Sequence, residues 1–341
     1  VALTRARHTL YITHHNSPLR FLSTSDIPDT NTTHEIVDTP ELLAHGLSVY
    51  QVPPFAKDER ALLQKVVEGY MLSPTHLNNF LDITKGGPMM FLEQNLLRFP
   101  QAKNASSVYG TAIHKALEDA HVMVRKDGTL PKLETLIAIF KKELSYGRLL
   151  SFEEEKLSQR GEKILSRYYE LKKEEIALGA QVEINFSKQS VMIGGALLTG
   201  KIDKVLLDED KHWVVVDLKT GKGFSDWDEK GQSVYDEIKL HHYRYQLMMY
   251  KLLVEHSRDY AEHTVTAGVL EFTEEEVDGK IQELDISFDS KEISNDLARF
   301  TKLVVAVYTK IVTLDFPDTE KYEKTLSGIK EFEEDLIAGV M

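Results

Sequence analysis

Two short stretches decide the fold: Thr199-Gly200-Lys201-Ile202-Asp203, and the run Trp213-Val214-Val215-Val216-Asp217-Leu218-Lys219 ten residues further on. Between them, Asp208-Glu209-Asp210-Lys211 separates two apolar runs and reads as a turn. If residues 209–211 form a three-residue loop closed by Asp208 and His212, opposed positions sum to 420 and Asp203 faces Asp217. Directly opposed side chains share a sheet face with Cβ atoms roughly 4.5–5.5 Å apart, so two carboxylates there repel unless a cation bridges them. Strand alternation returns Lys219 to the same face. A two-residue loop would put the aspartates on opposite faces, so the reading depends on register.

Two helical patterns bracket this hairpin in sequence. Ser106 to about Arg125 carries Ile113, Ala116, Leu117, Ala120 and Val124 at helical spacing. Gly110 lies inside it, costing ~1 kcal/mol against alanine, one turn before His114 and on the same face. A glycine there permits close backbone approach, and His114 projects toward whatever approaches. Glu118, a further turn along, either orients the imidazole, joins a ligand shell, or is a solvated helix-face residue. Lys239 to about His256 reads as an amphipathic helix carrying Gln246 and Tyr250 one turn apart, with the polar Gln246 on an otherwise apolar face.

Taken in order, Gly110-Thr111-Ala112-Ile113-His114, Gly200-Lys201-Ile202-Asp203, Asp217-Leu218-Lys219 and Gln246-Leu247-Met248-Met249-Tyr250 resemble the motif set of RecB/AddB-type nucleases, members of the PD-(D/E)XK, or restriction-endonuclease-like, superfamily. The resemblance runs from about Leu72 to Phe316. Leu72-Ser73-Pro74-Thr75-His76-Leu77 resembles the family's entry helix and Val182-Glu183-Ile184 its first core strand, with Glu183 either a supporting acid or a surface glutamate. The resemblance implies an α/β fold with a mixed central sheet flanked by helices, and extra N- and C-terminal helices. Many relatives hold an iron–sulfur cluster near a Pro-x-x-Phe stretch. Here that region reads Asp82-Ile83-Thr84-Lys85-Gly86-Gly87-Pro88-Met89-Met90-Phe91, and the chain has no cysteine. It therefore has no ligands for a cluster and no disulfides, and the pin that relatives gain from the cluster must come from packing. Lack of cysteine fits a reducing compartment, and the expected location is the cytoplasm.

Val1-Ala2-Leu3-Thr4-Arg5-Ala6-Arg7, followed by Thr9-Leu10-Tyr11-Ile12-Thr13, resembles the last helicase motif of UvrD/Rep-type DNA translocases, which places the arginine that reaches the ATP γ-phosphate at Arg5. Ser17-Pro18-Leu19-Arg20-Phe21-Leu22 resembles the end of that motor domain. No methionine precedes Val1, and no Gly-x-x-x-x-Gly-Lys-Ser/Thr loop is present to hold phosphates. The expectation is a remnant of a helicase motor over 1–23, a polar linker over 24–56 and a RecB-like nuclease over 57–341, with no ATPase activity of its own.

Composition agrees with a globular chain of ample length for a core: 341 residues, 42% hydrophobic. No run of eighteen apolar residues and no signal-peptide pattern indicates a membrane or secretion. The formal net charge of −13 is awkward for binding phosphates, though much of the acid falls in runs such as Glu153-Glu154-Glu155 and Glu274-Glu275-Glu276. Gly221 to Glu237, with three glycines, reads as a mobile loop that either guides a strand or merely connects. Strands are expected near 265–272 and 281–286, and helices near 290–312 and 319–337.

The chemistry implied is hydrolysis of DNA phosphodiesters. Asp203, Asp217, the Leu218 carbonyl and His114 would hold Mg²⁺ or Mn²⁺, the nitrogen ligand tilting preference toward Mn²⁺. Lys219 would orient or help deprotonate a water, or neutralise the pentavalent phosphate. Gln246 and Tyr250 would position DNA or brace the lysine. The expected substrate is a single strand delivered by a helicase motor, degraded exonucleolytically, with a second helicase–nuclease subunit as partner. The rival reading is an inactive nuclease-like module that binds DNA or docks a subunit. A third is a metal-dependent hydrolase acting on something other than DNA, against which the helicase-like N-terminus argues.

Overall fold

A computed structural model describes residues 59–340 apart from 102–103 and 229–232. Arg5 and the expected motor remnant and linker lie outside the described residues. Within them, helices come first: α1 (Glu59–Val67), α2 (Pro74–Leu81), α3 (Gly87–Phe91), α4 (Ala105–Asp127), α5 (Leu133–Tyr146) and α6 (Ser151–Ala177). Strands β1 (Gln181–Asn185), β2 (Val191–Ile193), β3 (Ala196–Leu198), β4 (Lys201–Leu207) and β5 (Trp213–Lys219) follow. Then come α7 (Val234–Glu255), β6 (Val265–Val277), β7 (Lys280–Ser287), α8 (Lys291–Val312) and α9 (Leu326–Ala338).

The sheet order is β1-β4-β5-β6-β7, antiparallel except for the β5–β6 pair, and β2–β3 form a separate hairpin. Parallel strands need a crossover of a dozen or more residues, and α7 supplies it. β5 is the middle strand, and its near-continuous burial is what a strand covered on both faces requires. Val215, with Ile202, Val205 and Leu270, faces a core built with α2, α7, α8 and α9. Val216 and Leu218 face the opposite core, with Ile113 and Leu117 of α4 and with α5 and α6. The mixed sheet with helices on both sides is the expected architecture.

The hairpin register also agrees with the sequence reading. Lys204 pairs with Val216, Val205 with Val215, Leu206 with Val214 and Leu207 with Trp213. The Asp208 N–H donates to the His212 carbonyl at 3.0 Å, which closes the loop over residues 209–211. Lys211 takes the left-handed conformation, φ 66°, that lets so short a loop turn back.

Two expectations are corrected, and one is extended. The last helix begins at Leu326, capped by the Thr325 hydroxyl, so Tyr322 precedes it although its ring is buried. The stretch from Gly221 is not simply a loose connector: Phe224 enters the core, the Trp227 indole donates to the Asp285 carbonyl at 2.6 Å, and α7 starts at Val234, five residues earlier than Lys239. The C-terminal helix is held by more than packing. Phe80 stacks on Phe332, and Glu333, fully buried, accepts from Tyr245 at 2.7 Å and Arg299 at 3.0 Å and lies 2.8 Å from His241 Nε2. A buried carboxylate is tolerated when such partners replace its water.

On the α6 side of the sheet lies a second buried charge cluster that nothing in the local sequence pattern suggests. Lys204 Nζ, 1% exposed, donates to Glu175 at 2.6 Å and Glu271 at 3.0 Å. Lys172 Nζ is 3.0 Å from Glu271, 2.8 Å from Glu175 and 2.6 Å from Glu283, and the Tyr168 hydroxyl donates to Glu271.

Candidate active site

At the carboxyl end of β5 the two antiparallel strands part. The paired register ends at Lys204–Val216, and beyond it the Asp203 carboxylate takes up the Leu218 N–H at 2.9 Å. This bond ties the two strands together beyond their last paired residues. The same carboxylate oxygen lies 3.4 Å from His114 Nδ1, so the histidine of α4 and the aspartate of β4 are joined across the edge of the sheet.

Asp217 is 2% exposed. Its Oδ1 accepts from Gln246 Nε2 at 2.7 Å and from the Tyr250 hydroxyl at 2.7 Å, both on one face of α7. Gln246 Nε2 also lies 2.8 Å from the Tyr250 oxygen, and Gln246 Oε1 accepts from Lys219 Nζ at 2.8 Å. Lys219 Nζ is 2.6 Å from Asp217 Oδ2, and 4.3 Å from the Tyr243 ring centroid. The result is a closed ring of Asp217, Gln246 and Lys219, with Tyr250 behind it. Gln246 is polar on an apolar face because it links the acid to the base. Asp217 Oδ2 has the ammonium beside it but receives no hydrogen bond of proper direction.

The electrostatics follow from burial and charge. Burial pushes the Asp217 carboxyl above the ordinary range, with Lys219 opposing and Asp203 adding to the rise. Burial also works to raise Asp203. The His114 and Leu218 hydrogen bonds and the Lys219 charge outweigh it and hold Asp203 below the ordinary value. Burial would lower His114, but the hydrogen bond and charge of Asp203, with the charge of Asp217, raise it.

These groups face a cleft of about 500 Å³, walled by the start of α2 at Ser73–Thr75 and by Gly200. Gly200 is closely packed. A Cβ there would stand 2.5 Å from Leu253 Cδ1 on α7 and 3.4 Å from Pro74 Cδ, where the β3–β4 connection threads between two helices. Leu72 fixes the same turn by donating to the Leu197 carbonyl at 2.9 Å and accepting from the Thr199 N–H at 3.0 Å. Gly110 has the close approach expected of it, since an added Cβ would meet the Thr220 hydroxyl at 3.1 Å.

Two predicted contributors stand apart. Glu118 is held by Lys115 at 3.0 Å, on a side cavity shared with His114 and Asp203, and its hydrogen bond goes to that lysine rather than to the imidazole. Glu183, between the Val182–Lys204 and Ile184–Ile202 pairs of β1 and β4, has φ 56° and pairs with Lys201. Tyr243 was not singled out from the sequence. It lies on the Gln246–Tyr250 face of the helix, three residues before Gln246, and that spacing is the signal that marks it.

Among the described residues no three His, Asp or Glu side chains converge as a ready-made metal cage. The donor set nevertheless suits a hard divalent cation: two carboxylates, one with a buried oxygen lacking a hydrogen bond, an imidazole nitrogen, and Leu218 at the cleft wall. A backbone carbonyl completes such a set without adding a third acidic side chain.

The family model of the PD-(D/E)XK nuclease superfamily matches residues 71–324. No curated protein matches the chain. Among solved structures, the crystal structure of SSO0001 is similar at 16% identity, over 67% of this chain and 84% of that one, with a TM-score of 0.25.

Proposed function

The chain belongs to the PD-(D/E)XK nuclease superfamily, whose members are generally metal-dependent nucleases, and from that premise we propose that it is a deoxyribonuclease working on single-stranded DNA. The observation that carries this is the closed ring of Asp217, Gln246 and Lys219 beside the Asp203–His114 pair, at the wall of an open cleft. Unlike the Lys204–Glu271 cluster, which is sealed in the interior, this lysine and both carboxylates line an open cleft that a substrate can enter.

In this reading Asp203, Asp217, His114 and the Leu218 carbonyl hold Mg²⁺ or Mn²⁺. When bound, such an ion supplies a Lewis acid for the scissile phosphate and a water of lowered pKa. Gln246 and Tyr250 keep the Asp217 carboxylate from turning, and Gln246 holds the Lys219 ammonium at the cleft. From there Lys219 can orient the attacking water, or neutralise charge building on the phosphate. His114 keeps Asp203 ionised and aimed inward.

The finer reading is a RecB/AddB-type nuclease module of a UvrD/Rep-type helicase. It acts in the cytoplasm, degrades strands from an end and works beside a second helicase–nuclease subunit, with Arg5 serving ATP in the intact motor. The sequence motifs support this.

The test is cleavage of end-labelled and circular single strands with Mn²⁺, Mg²⁺ or EDTA. Asp203→Ala and Asp217→Ala should abolish cleavage with the fold intact, and Lys219→Ala should cripple turnover while calorimetry still detects Mn²⁺ binding. If all three variants cut at the normal rate, the site is wrongly assigned. If the wild-type chain neither cuts nor gives Mn²⁺ heat sensitive to Asp217→Asn, it is an inactive docking or binding module.

A further inference from the structure

Thr75 and Gln246 line the catalytic cleft and also a second groove of about 580 Å³. One wall of this groove is α2 with the turn after it, and the other is the first half of α7. Its surface combines three kinds of group. The first is cationic: Lys239 Nζ lies 5.5 Å from the ring centroids of both Phe224 and Tyr243, so it shares the Tyr243 ring with Lys219. Lys85 stands on the facing wall and neutralises Asp82 at 2.9 Å. The second is aromatic: Tyr235, in the first turn of α7, lines the groove with its side chain 64% exposed. The third is unsatisfied polarity. Asn78 Oδ1 and His242 Nε2 are buried in the walls and have no hydrogen-bond partner, whereas buried polar atoms ordinarily find one.

A lysine resting on aromatic faces and an exposed ring, in a groove continuous with the candidate cleft, match what an unpaired strand offers: phosphates and open base faces. A duplex offers none of its base faces, and holding it by phosphates alone calls for a broad basic surface, which a groove lined by three lysines, one of them paired with Asp82, does not provide. We propose that this groove carries the single strand of DNA to the catalytic cleft, with phosphate against Lys239 and a base stacked on Tyr235. The proposal rests on the nuclease reading, but its test does not require cleavage.

The experiment measures binding of a fluorescein-labelled oligothymidylate of about twelve nucleotides to the full chain in EDTA, by fluorescence anisotropy. Tyr235→Ala should weaken binding about ten-fold, the usual loss when one stacked base is released, and Tyr235→Phe should restore it. Lys239→Gln should weaken binding and reduce the slope of log affinity against log salt by about 0.7. Lys302→Gln, exposed on α8, should change neither. The proposal is overturned if the wild-type chain does not bind the oligomer. It also falls if Tyr235→Ala and Lys239→Gln both bind as wild type at unchanged melting temperature, or if a blunt duplex of equal length competes as well as the unlabelled strand. Weakened binding by these variants in a chain whose Asp217→Asn form still cleaves would uphold the groove and sink the site assignment. Normal binding by them with dead Asp217→Asn would do the reverse.

Discussion

Glu271→Gln isolates the buried charge cluster behind the site. Glu271 is 1% exposed and accepts from Lys204 and Tyr168 with Lys172 at 3.0 Å. Burial alone would raise its pKa, but Lys204 and Lys172 bring it down to about 2 from an ordinary 4.5. At 1.36 kcal/mol per pH unit, that gap corresponds to about 3 kcal/mol of stability at neutral pH. Removing one partner of a buried pair costs ~3–5 kcal/mol by mutation, so two independent routes converge. The sign is that of a depressed carboxyl: the contribution is whole above pH 4.5 and is lost as pH falls toward 2. In reversible urea unfolding, Glu271→Gln should lose about 3 kcal/mol at pH 7, a melting shift of roughly 6–12 °C, and the gap from wild type should narrow below pH 4.5. Lys204→Met with Glu271→Leu should recover at least half of the single-variant loss, because the pair's desolvation penalty disappears with it. A single-variant loss under ~1 kcal/mol, or a double variant that is the sum of two singles, would refute the reasoning.

Glu333→Gln should destabilise the chain by ~3 kcal/mol, since Arg299 and His241 lose the carboxylate that balances them; hydrogen exchange should speed first in α9, and uniform protection would count against the pin. His121 is 2% exposed, and burial, with the Lys204 charge, holds its pKa at about 4. Because the unfolded chain takes the proton first, stability should fall by up to ~3 kcal/mol as pH drops from 6.5 to 4, and His121→Leu should remove that part of the acid limb in a pH series of melts. Gly110→Ala should gain up to ~1 kcal/mol in helix stability yet slow DNA cleavage several-fold, because the new methyl pushes on Thr220, next to Lys219; unaltered cleavage would mean that this close approach has no bearing on the site.

Much of the site was legible in the chain because its determinants are short-range. A three-residue loop and two apolar runs set the register from Leu207–Trp213 to Lys204–Val216, and Asp203 then reaches the end of β5 through the Leu218 N–H. Helical spacing put His114 a turn beyond Gly110, and Gln246 a turn before Tyr250. The sequence reading went astray at boundaries and roles. The last helix starts later because Thr325 caps it, and the stretch after Gly221 is anchored by Phe224; for Glu118, left open in the sequence, the hydrogen bond goes to Lys115.

By itself, then, the sequence determined the hairpin, the faces of its helices and the residues that could meet at the end of β5, since hydrogen-bond periodicity and turn length act within a few residues. Only the tertiary structure decided which distant charges neutralise one another. Lys204 finds Glu271 across 67 positions, His241 finds Glu333 across 92, and Lys239 lies over the rings of Phe224 and Tyr243. Those pairings depend on strand order and on which helix crosses which face, and a buried charge has no local pattern that names its partner.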